Sequence, residues 1–392
     1  MVWNWSSSNG VWQGFTQEPP MSRQSELPTP PLVYHPEFEQ PEPQERATED
    51  GLVSTLRSIS ETTFKEEGLA LRSVHAKSHA LLQGELAVAP DLPPELAQGL
   101  FSAPGRYPVI MRLSTIPGDV LDDDVSVPRG LAFKVIGVEG ERLPGSENDV
   151  VQDFVFVNGP VFAAPTGKAF LGKLKLLAAT TDKLQFLKKA LSYTLRGIES
   201  AVEAVGGESA TLKQLGAHPA VHPLGETYFS AAPILFGDYM AKVQLVPVLP
   251  ELTSLTDQPV KVFGHPDGLR EACNAFFAHH GGRWELRVQL CTDLETMPIE
   301  DASVEWPEEQ SPYRTVATIS APSQVAWNEE KSRAIDDGQF FSPWHGLAAH
   351  RPLGSIMRLR KAAYRSSARF RSEHSGCPMH QPRKLEDVDL PA

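Results

Sequence analysis

The chain has 392 residues, 41% of them hydrophobic and 22% charged, a globular composition that excludes a wholly disordered or fibrous protein. The formal net charge of −13 argues against general nucleic-acid binding, because an acidic chain repels phosphate backbones. The three cysteines do not form a disulfide framework and favour a reducing compartment, so we expect a cytoplasmic protein. The sequence lacks a run of 18 apolar residues, and we expect no membrane span.

The N-terminal stretch differs from the rest of the chain in composition. Residues 1–45 are rich in proline and show little periodicity, which predicts an extended or disordered arm. Such an arm can reach onto a second subunit, so a homo-oligomer is one expectation. Residues 46–372 then form the main domain, and residues 373–392 form a polar tail.

The periodicity of apolar residues predicts clusters of strands with helices between them. A helix is expected over residues 50–66, strands over 68–90, 106–116, 128–138 and 151–158, and helices over 166–205. Strands follow over 227–236 and 239–248, then a helix over 266–280, strands over 283–290 and 313–320, and a last helix near 353–372. Clustered strands without βαβ alternation indicate the α+β class.

The last predicted helix carries the strongest local pattern. Arg360, Tyr364 and Arg371 fall on one helical stripe, and the residues beside that stripe are small. Such a face can lie against a flat anionic ligand, and an arginine one turn away favours the tyrosine's phenolate form. The alternative is a basic amphipathic helix that is solvated or binds anionic lipid.

Two further segments combine histidine, arginine and serine. His75 and His79 share a face on either a helix or a strand, so they could be metal ligands, although an ordinary buried histidine is the commoner case. Arg112 and Ser114 point the same way on a strand, and Ser114 could fix the tautomer of a histidine.

Together these segments resemble the haem catalases. The stretch from Arg72 to Lys77 is similar to the distal-histidine segment of that family, and 111–115 and 128–134 are similar to its next two barrel strands. Residues 360–371 resemble its proximal helix, in which two arginines follow the tyrosine at five and seven residues. The resemblance implies a catalase-like antiparallel β-barrel with surrounding helices, and haem between the barrel and a C-terminal proximal helix.

The resemblance also implies a role for each site residue on the proximal side. Tyr364 would be the axial ligand of a haem b iron, and Arg360 would keep it anionic. The two propionates would pair with Arg72, Arg112 and Arg371. In a flat strand Arg72 and His75 would face opposite sides, so we expect a twist or bulge between them.

On the distal side, His75 would move the peroxide proton and Ser114 would orient it. Phe162 would form part of the apolar wall over the haem. The second distal hydrogen-bonding residue is Asn148, Gln152 or none, because the usual asparagine run is replaced by a different sequence. The family's long C-terminal helical domain is missing, so the chain resembles the small catalase-related haemoproteins, in which bound NADPH and a large tetramer are not expected.

These features predict an enzyme that cleaves the O–O bond of organic or fatty-acid hydroperoxides, as a peroxidase or as a hydroperoxide isomerase or dehydratase. A minimal catalase that dismutates hydrogen peroxide is the main alternative. A non-catalytic haem carrier or sensor, and a zinc hydrolase that uses His75 and His79, are the remaining ones.

Overall fold

A computed structural model describes residues 28–125, 127–181, 220–375, 379, 381–388 and 390, and a two-residue ladder between Trp5–Ser6 and Val11–Trp12. The predicted helical region 166–205 is therefore described up to residue 181, and its remainder lies outside the described residues. Within the described helices, none is long and apolar enough to cross a membrane.

The elements follow the predicted order. The main helices are α1 (Glu45–Glu67), α2 (Gly167–Thr181), α3 (Gly268–Phe277) and α4 (Gly354–Ser375). The strands are β1 (Ser78–Val88), β2 (Arg106–Thr115), β3 (Arg129–Ile136), β4 (Val151–Val157), β5 (Tyr228–Phe229), β6 (Ile234–Phe236), β7 (Tyr239–Pro247), β8 (Gly282–Leu290) and β9 (Arg314–Ala321).

The strands close into an antiparallel barrel. Neighbouring strands follow the order β8, β9, β1, β2, β3, β4, β5 and β7, and β7 pairs with β8 to complete the ring. The short strand β6 pairs with the first residues of β7. Closure leaves no long free edge within these eight strands. The α+β class and the antiparallel β-barrel with surrounding helices expected from the sequence are confirmed.

The barrel interior is an apolar core. Leu131, Phe133, Phe154 and Phe156 belong to it, and Phe133 stacks on both Phe154 and Phe156 at ring-centroid distances of 5.0 and 5.6 Å. Because side chains alternate along a strand, the residues between these four face outward. The interior is therefore filled, and a site must lie on the outer face.

The outer face of β2–β4 presents two rows of residues, in which β3 and β4 contribute small or apolar residues and β2 contributes Ser114 and Arg112. Directly paired residues in an antiparallel ladder share a face. One row joins Ser114, Gly130 and Val157, and the next joins Arg112, Ala132 and Val155.

Helix α4 is packed into the domain. The apolar side chains of α1, α2 and α4 share one cluster, formed by Leu52, Leu56, Ile59, Leu174, Leu359 and Ala363. The α1 members recur at helical spacing, so one face of this helix is buried against α2 and α4. One face of α4 is therefore buried, as in an amphipathic helix.

The described part of the arm lies along its own chain. Leu32 N donates to Cys291 O at 2.8 Å, and Tyr34 N donates to Asp238 O at 2.7 Å. Arg358 of α4 forms ion pairs with Glu39, Glu45 and Glu300 at 2.8–3.0 Å. Residues 28–44 are thus held against the start of α4, and an oligomer through the arm stays a prediction.

Candidate active site

The proximal part of the site is one stripe of α4. Arg360 Nη2 donates to the phenol oxygen of Tyr364 at 2.6 Å, across one helical turn. Arg360 Nη1 also contacts Met357 Sδ at 3.3 Å. A guanidinium on the phenol oxygen stabilises negative charge there, which suits a metal ligand.

His75 lies in the loop between α1 and β1, where the sequence predicts a strand. Its φ of 58° lies in the left-handed region, which residues with a side chain rarely adopt. For a residue with a Cβ this conformation costs about 1–2 kcal/mol. The loop also contacts both helices, because Ser73 bonds to Ser60 of α1 and Ser367 of α4. The sequence predicts a strand with a twist or bulge between Arg72 and His75, whereas the structure has a loop there, because β1 begins only at Ser78.

The His75 ring is fixed by β2 and β3. Its Nδ1 lies 3.1 Å from Ser114 Oγ. The ring also covers Gly130, where an added Cβ would come within 2.4 Å of the imidazole. Position 130 must therefore be glycine, because any side chain there would collide with the imidazole. The absence of a side chain lets the His75 ring lie directly against the outer face of the barrel.

Burial lowers the pKa of His75 to about 3, and the charges of Arg112, Arg360 and Arg72 add to this effect. The imidazole is consequently neutral at ordinary pH. Arg360 lies on α4 beside Tyr364, so its effect on the pKa of His75 indicates that the Arg360–Tyr364 pair and His75 belong to the same site.

The three arginines expected at the propionates converge at one edge of the site. Arg72 Nη1 and Arg112 Nε donate to Asp336 Oδ1 at 3.2 and 2.6 Å. Arg371 Nη1 donates to the backbone oxygen of Asp336 at 2.5 Å. These residues come from the distal loop, β2 and α4, so this cluster joins the two sides of the site. The adjacent guanidiniums lower the pKa of Asp336 to about 2.

Asn148 is not brought to this site by the structure. It is exposed in the turn before β4, and β4 begins with Val151 opposite Ile136. The histidine ring lies against Gly130, six residues away along β3, which is about 20 Å at strand spacing. The register explains the difference: the residue paired with Gly130 is Val157.

The side-chain amide of Gln152 is hydrogen-bonded to backbone groups outside this site. Its Oε1 accepts from Leu347 N at 2.8 Å and its Nε2 donates to Asp153 O at 3.1 Å. Phe162, expected in the apolar wall, packs edge to face on Phe170 of α2 at 5.0 Å, beside the barrel core.

The zinc alternative gains no support from the geometry. His79 is buried and its Nε2 lies 3.2 Å from Thr115 Oγ1, whereas His75 faces Ser114. Over the described parts of the chain, no group of three or more His, Cys, Asp or Glu side chains could hold a metal ion.

The residues present fit a haem. Tyr364 offers an oxygen ligand that can be anionic, and around His75 the outer face offers Ser114 beside the small or apolar residues Gly130, Ala132, Val155 and Val157. The buried Nε of Arg371 has no hydrogen-bond partner among the described residues, as expected of a cation at a propionate edge. Arg360, Tyr364, Ala132, Val155 and Val157 are all only partly buried, which leaves them accessible to a bound group.

Sequence reasoning missed Asp336, Gly130 and Val157. Asp336 follows Arg112 by 224 residues, and no local pattern connects the two. The outward face of Gly130 could have been identified from the alternation in β3, but its pairing with Val157 depends on the register between β3 and β4.

No protein-family model and no curated protein matches the chain. Among solved structures, a fungal catalase superposes with a TM-score of 0.55 at 20% sequence identity, over 81% of this chain and 63% of that catalase. Catalase A from Saccharomyces cerevisiae superposes with a TM-score of 0.53 at 20% identity, over 80% of this chain and 63% of the yeast protein. The chain thus spans less than two thirds of the length of these catalases. Its fold is catalase-like, as the resemblance implied.

Proposed function

We propose that this protein is a haem-dependent enzyme that cleaves the O–O bond of a hydroperoxide. One observation carries the proposal: Tyr364, bonded to Arg360 on α4, shares a site with the His75–Ser114 pair, and an arginine cluster joins the two sides. A haem b would be held at its iron by Tyr364. Its propionates would be held by the arginine cluster of Arg72, Arg112 and Arg371.

A bound haem would supply the redox chemistry that cleavage of the O–O bond requires. His75 acts on the proton. Its low pKa keeps the ring neutral, so it can accept the hydroperoxide proton and then donate it to the leaving oxygen. Because Ser114 Oγ faces Nδ1, Nε2 is the nitrogen that exchanges this proton.

The apolar outer face favours organic hydroperoxides over hydrogen peroxide. Hydrogen peroxide carries an O–H at both ends, and burying one without a partner costs about 1–3 kcal/mol. Gly130 is paired with Ser114 and Val157, and the next row on this face includes Ala132 and Val155. Ser114 Oγ already lies against His75, and Ala132, Val155 and Val157 supply no further partner. An alkyl or fatty-acyl chain instead gains from contact with apolar side chains.

A minimal catalase is the second candidate. The observation in its favour is that both solved structures described above are catalases. In that case two molecules of hydrogen peroxide would give two of water and one of oxygen.

The test compares substrates on the haem-loaded protein. We would load the purified chain with haemin, determine the haem-to-protein ratio, and measure turnover of cumene hydroperoxide, linoleic acid hydroperoxide and hydrogen peroxide. His75→Ala should lower turnover of the preferred substrate by about 10²-fold or more. His279→Ala, at an exposed histidine, should leave it unchanged.

The outcomes separate the candidates. Faster turnover of the organic hydroperoxides supports the first candidate, whereas fast oxygen release from hydrogen peroxide alone supports a catalase. Tyr364→Phe should bind haem without the absorption bands of a tyrosinate ligand. Wild-type protein that binds no haem, or turnover that is insensitive to His75→Ala, would overturn the proposal.

A further inference from the structure

The backbone of His75 is held in its strained conformation by long-range contacts. Its N donates to Ile116 O at 2.6 Å. Its carbonyl accepts from Arg112 Nη2 at 2.8 Å, and the same nitrogen donates to Ala76 O at 3.1 Å. A left-handed residue with a side chain persists only where its surroundings fix it, and here a buried arginine does so.

Arg112 uses most of its donors within its own chain. Both hydrogens of Nη2 are directed at the carbonyls of the His75 loop, and Nε is directed at Asp336 Oδ1 at 2.6 Å. The side chain is buried, with a relative exposure of 3%. A buried guanidinium keeps one orientation only if its partners do, so the position of Arg112 depends on Asp336.

Both carboxylate oxygens of Asp336 accept hydrogen bonds from neighbouring side chains. It lies in the π-helical turn Ser332–Asp337. Its Oδ2 accepts from Ser78 Oγ at 2.6 Å and from Ser332 Oγ at 2.9 Å, while Oδ1 accepts from both Arg112 and Arg72. The carboxylate is therefore a rigid acceptor that connects this turn, β1 and β2.

We propose that Asp336 is a positioning residue for His75, acting through Arg112 on the backbone of the distal loop. This role deepens the proposed function, on which it rests: Asp336 would set the reactive geometry of the histidine without touching the substrate. It differs from a role in binding haem, because loss of the carboxylate frees the guanidiniums of Arg72 and Arg112 for propionates.

The neighbouring Asp337 provides a matched control. It lies in the same turn, carries the same charge and is exposed. Asp336→Asn and Asp337→Asn therefore change the chain's net charge equally, but only the first removes the anionic partner of Arg112. Ser332→Ala is a milder variant that removes one hydrogen bond from Asp336 and leaves its charge.

The first measurement is hydrogen–deuterium exchange of the protein without haem. The amides of His75 and Ala76 are bonded to Ile116 O and Pro117 O, so their exchange reports opening of the distal loop. We expect Asp336→Asn to accelerate it by at least about tenfold, because the hydrogen bonds of Arg112 and Arg72 to this side chain lose their anionic acceptor. Asp337→Asn should match wild type, and Ser332→Ala should give a smaller acceleration.

The second measurement uses the haem-loaded protein. Asp336→Asn should bind haemin as tightly as wild type or more tightly, yet bind cyanide at least about tenfold more slowly, since this step needs a correctly placed proton acceptor. The proposal is overturned if exchange at His75 and Ala76 is unchanged, or if protection is lost throughout the barrel. If Asp336→Asn does not fold, unchanged exchange in Ser332→Ala overturns it equally.

The exchange experiment also separates this inference from the proposed function. A wild-type protein that binds no haem would contradict the function, but the exchange rates would still show whether Asp336 holds the loop.

Discussion

Val157 places an apolar side chain beside Gly130, the residue against which the His75 ring lies. It is paired with Gly130, so its Cβ is a near neighbour of the imidazole. Under the proposed function, the side chain at position 157 would therefore decide whether a peroxide finds a second hydrogen-bonding group beside the His75 ring.

Val157→Asn should shift the preference towards hydrogen peroxide. An amide here adds one hydrogen bond, which corresponds to a rise of about 2–10-fold in kcat/KM for hydrogen peroxide, and it weakens contact with an alkyl chain. Val155→Asn, two residues earlier on the same face, is the control. The ratio of hydrogen peroxide to cumene hydroperoxide turnover is measured for both variants. A ratio that falls in Val157→Asn, or rises equally in both, would contradict this.

The pH profile of kcat/KM should show no fall on the acid side that is due to His75 near neutral pH. Its pKa is lowered to about 3, so the ring is protonated, and loses its ability to accept a proton, only as the pH falls towards that value. We expect kcat/KM for the preferred hydroperoxide to stay level between pH 8 and 5. His75→Gln is the control for effects that do not involve the imidazole. An inflection between pH 6 and 7 that is absent from His75→Gln would be inconsistent with the buried, cation-surrounded ring.

At the scale of elements, the sequence pattern predicts the strands well and the distal loop poorly. The alternation in β2 and β3 reflects burial of one face, which is a local property, and their predicted bounds differ from the structure by one or two residues. The strand predicted from residue 68 begins only at Ser78, because residues 69–77 are fixed by Arg112 and by the helices. Such tertiary contacts leave no periodic pattern in the sequence.

In the site, too, local contacts can be predicted from the sequence, whereas contacts between distant segments cannot. Tyr364 and Arg360 are one helical turn apart, so their contact could be predicted from spacing. The placement of Asn148 could not, since it depends on the register between β3 and β4.

A buried ion pair connects β3 and β4 to the segment that enters α4. Lys134 Nζ donates to Asp153 Oδ1 at 2.7 Å, and both side chains are fully buried. The ammonium also donates to Gln381 Oε1 at 2.6 Å, and Asp153 Oδ2 accepts from Ser342 N at 2.9 Å. The ion pair thus connects β3 and β4 to Gln381 in the C-terminal tail and to Ser342 in the segment before α4.

Lys134→Met should destabilise the protein by about 3–5 kcal/mol, because it leaves the Asp153 carboxylate buried without its cation. The urea midpoint of unfolding measures this. Lys168→Met, at an exposed lysine of α2, is the control. The double variant Lys134→Met, Asp153→Asn should lose less stability than the sum of its single variants. Strict additivity would show that the two charges do not depend on each other.

For the whole molecule, four histidines with lowered pKa values make stability dependent on pH. Burial lowers the pKa of His75 to about 3 and the pKa values of His222 and His350 to about 4, and it holds the pKa of His79 well below its ordinary value. In the unfolded chain each would titrate near 6.5. Between these limits the unfolded state binds protons that the folded state excludes, so stability is complete above pH 6.5 and falls with the pH.

Near pH 5 unfolding should therefore take up about four protons, which makes the free energy of unfolding fall by about 5 kcal/mol per pH unit. Urea unfolding midpoints at intervals from pH 7 to pH 4.5 give this slope for the protein without haem. His350→Gln should reduce the slope by about one proton, because Leu100 N donates to His350 Nε2 inside the barrel and the glutamine oxygen can replace that acceptor without titrating. Replacement of the exposed His279 should leave the slope unchanged. A slope of one proton or fewer would mean that these four rings charge without unfolding, and the neutral state assigned to His75 would then be wrong as well.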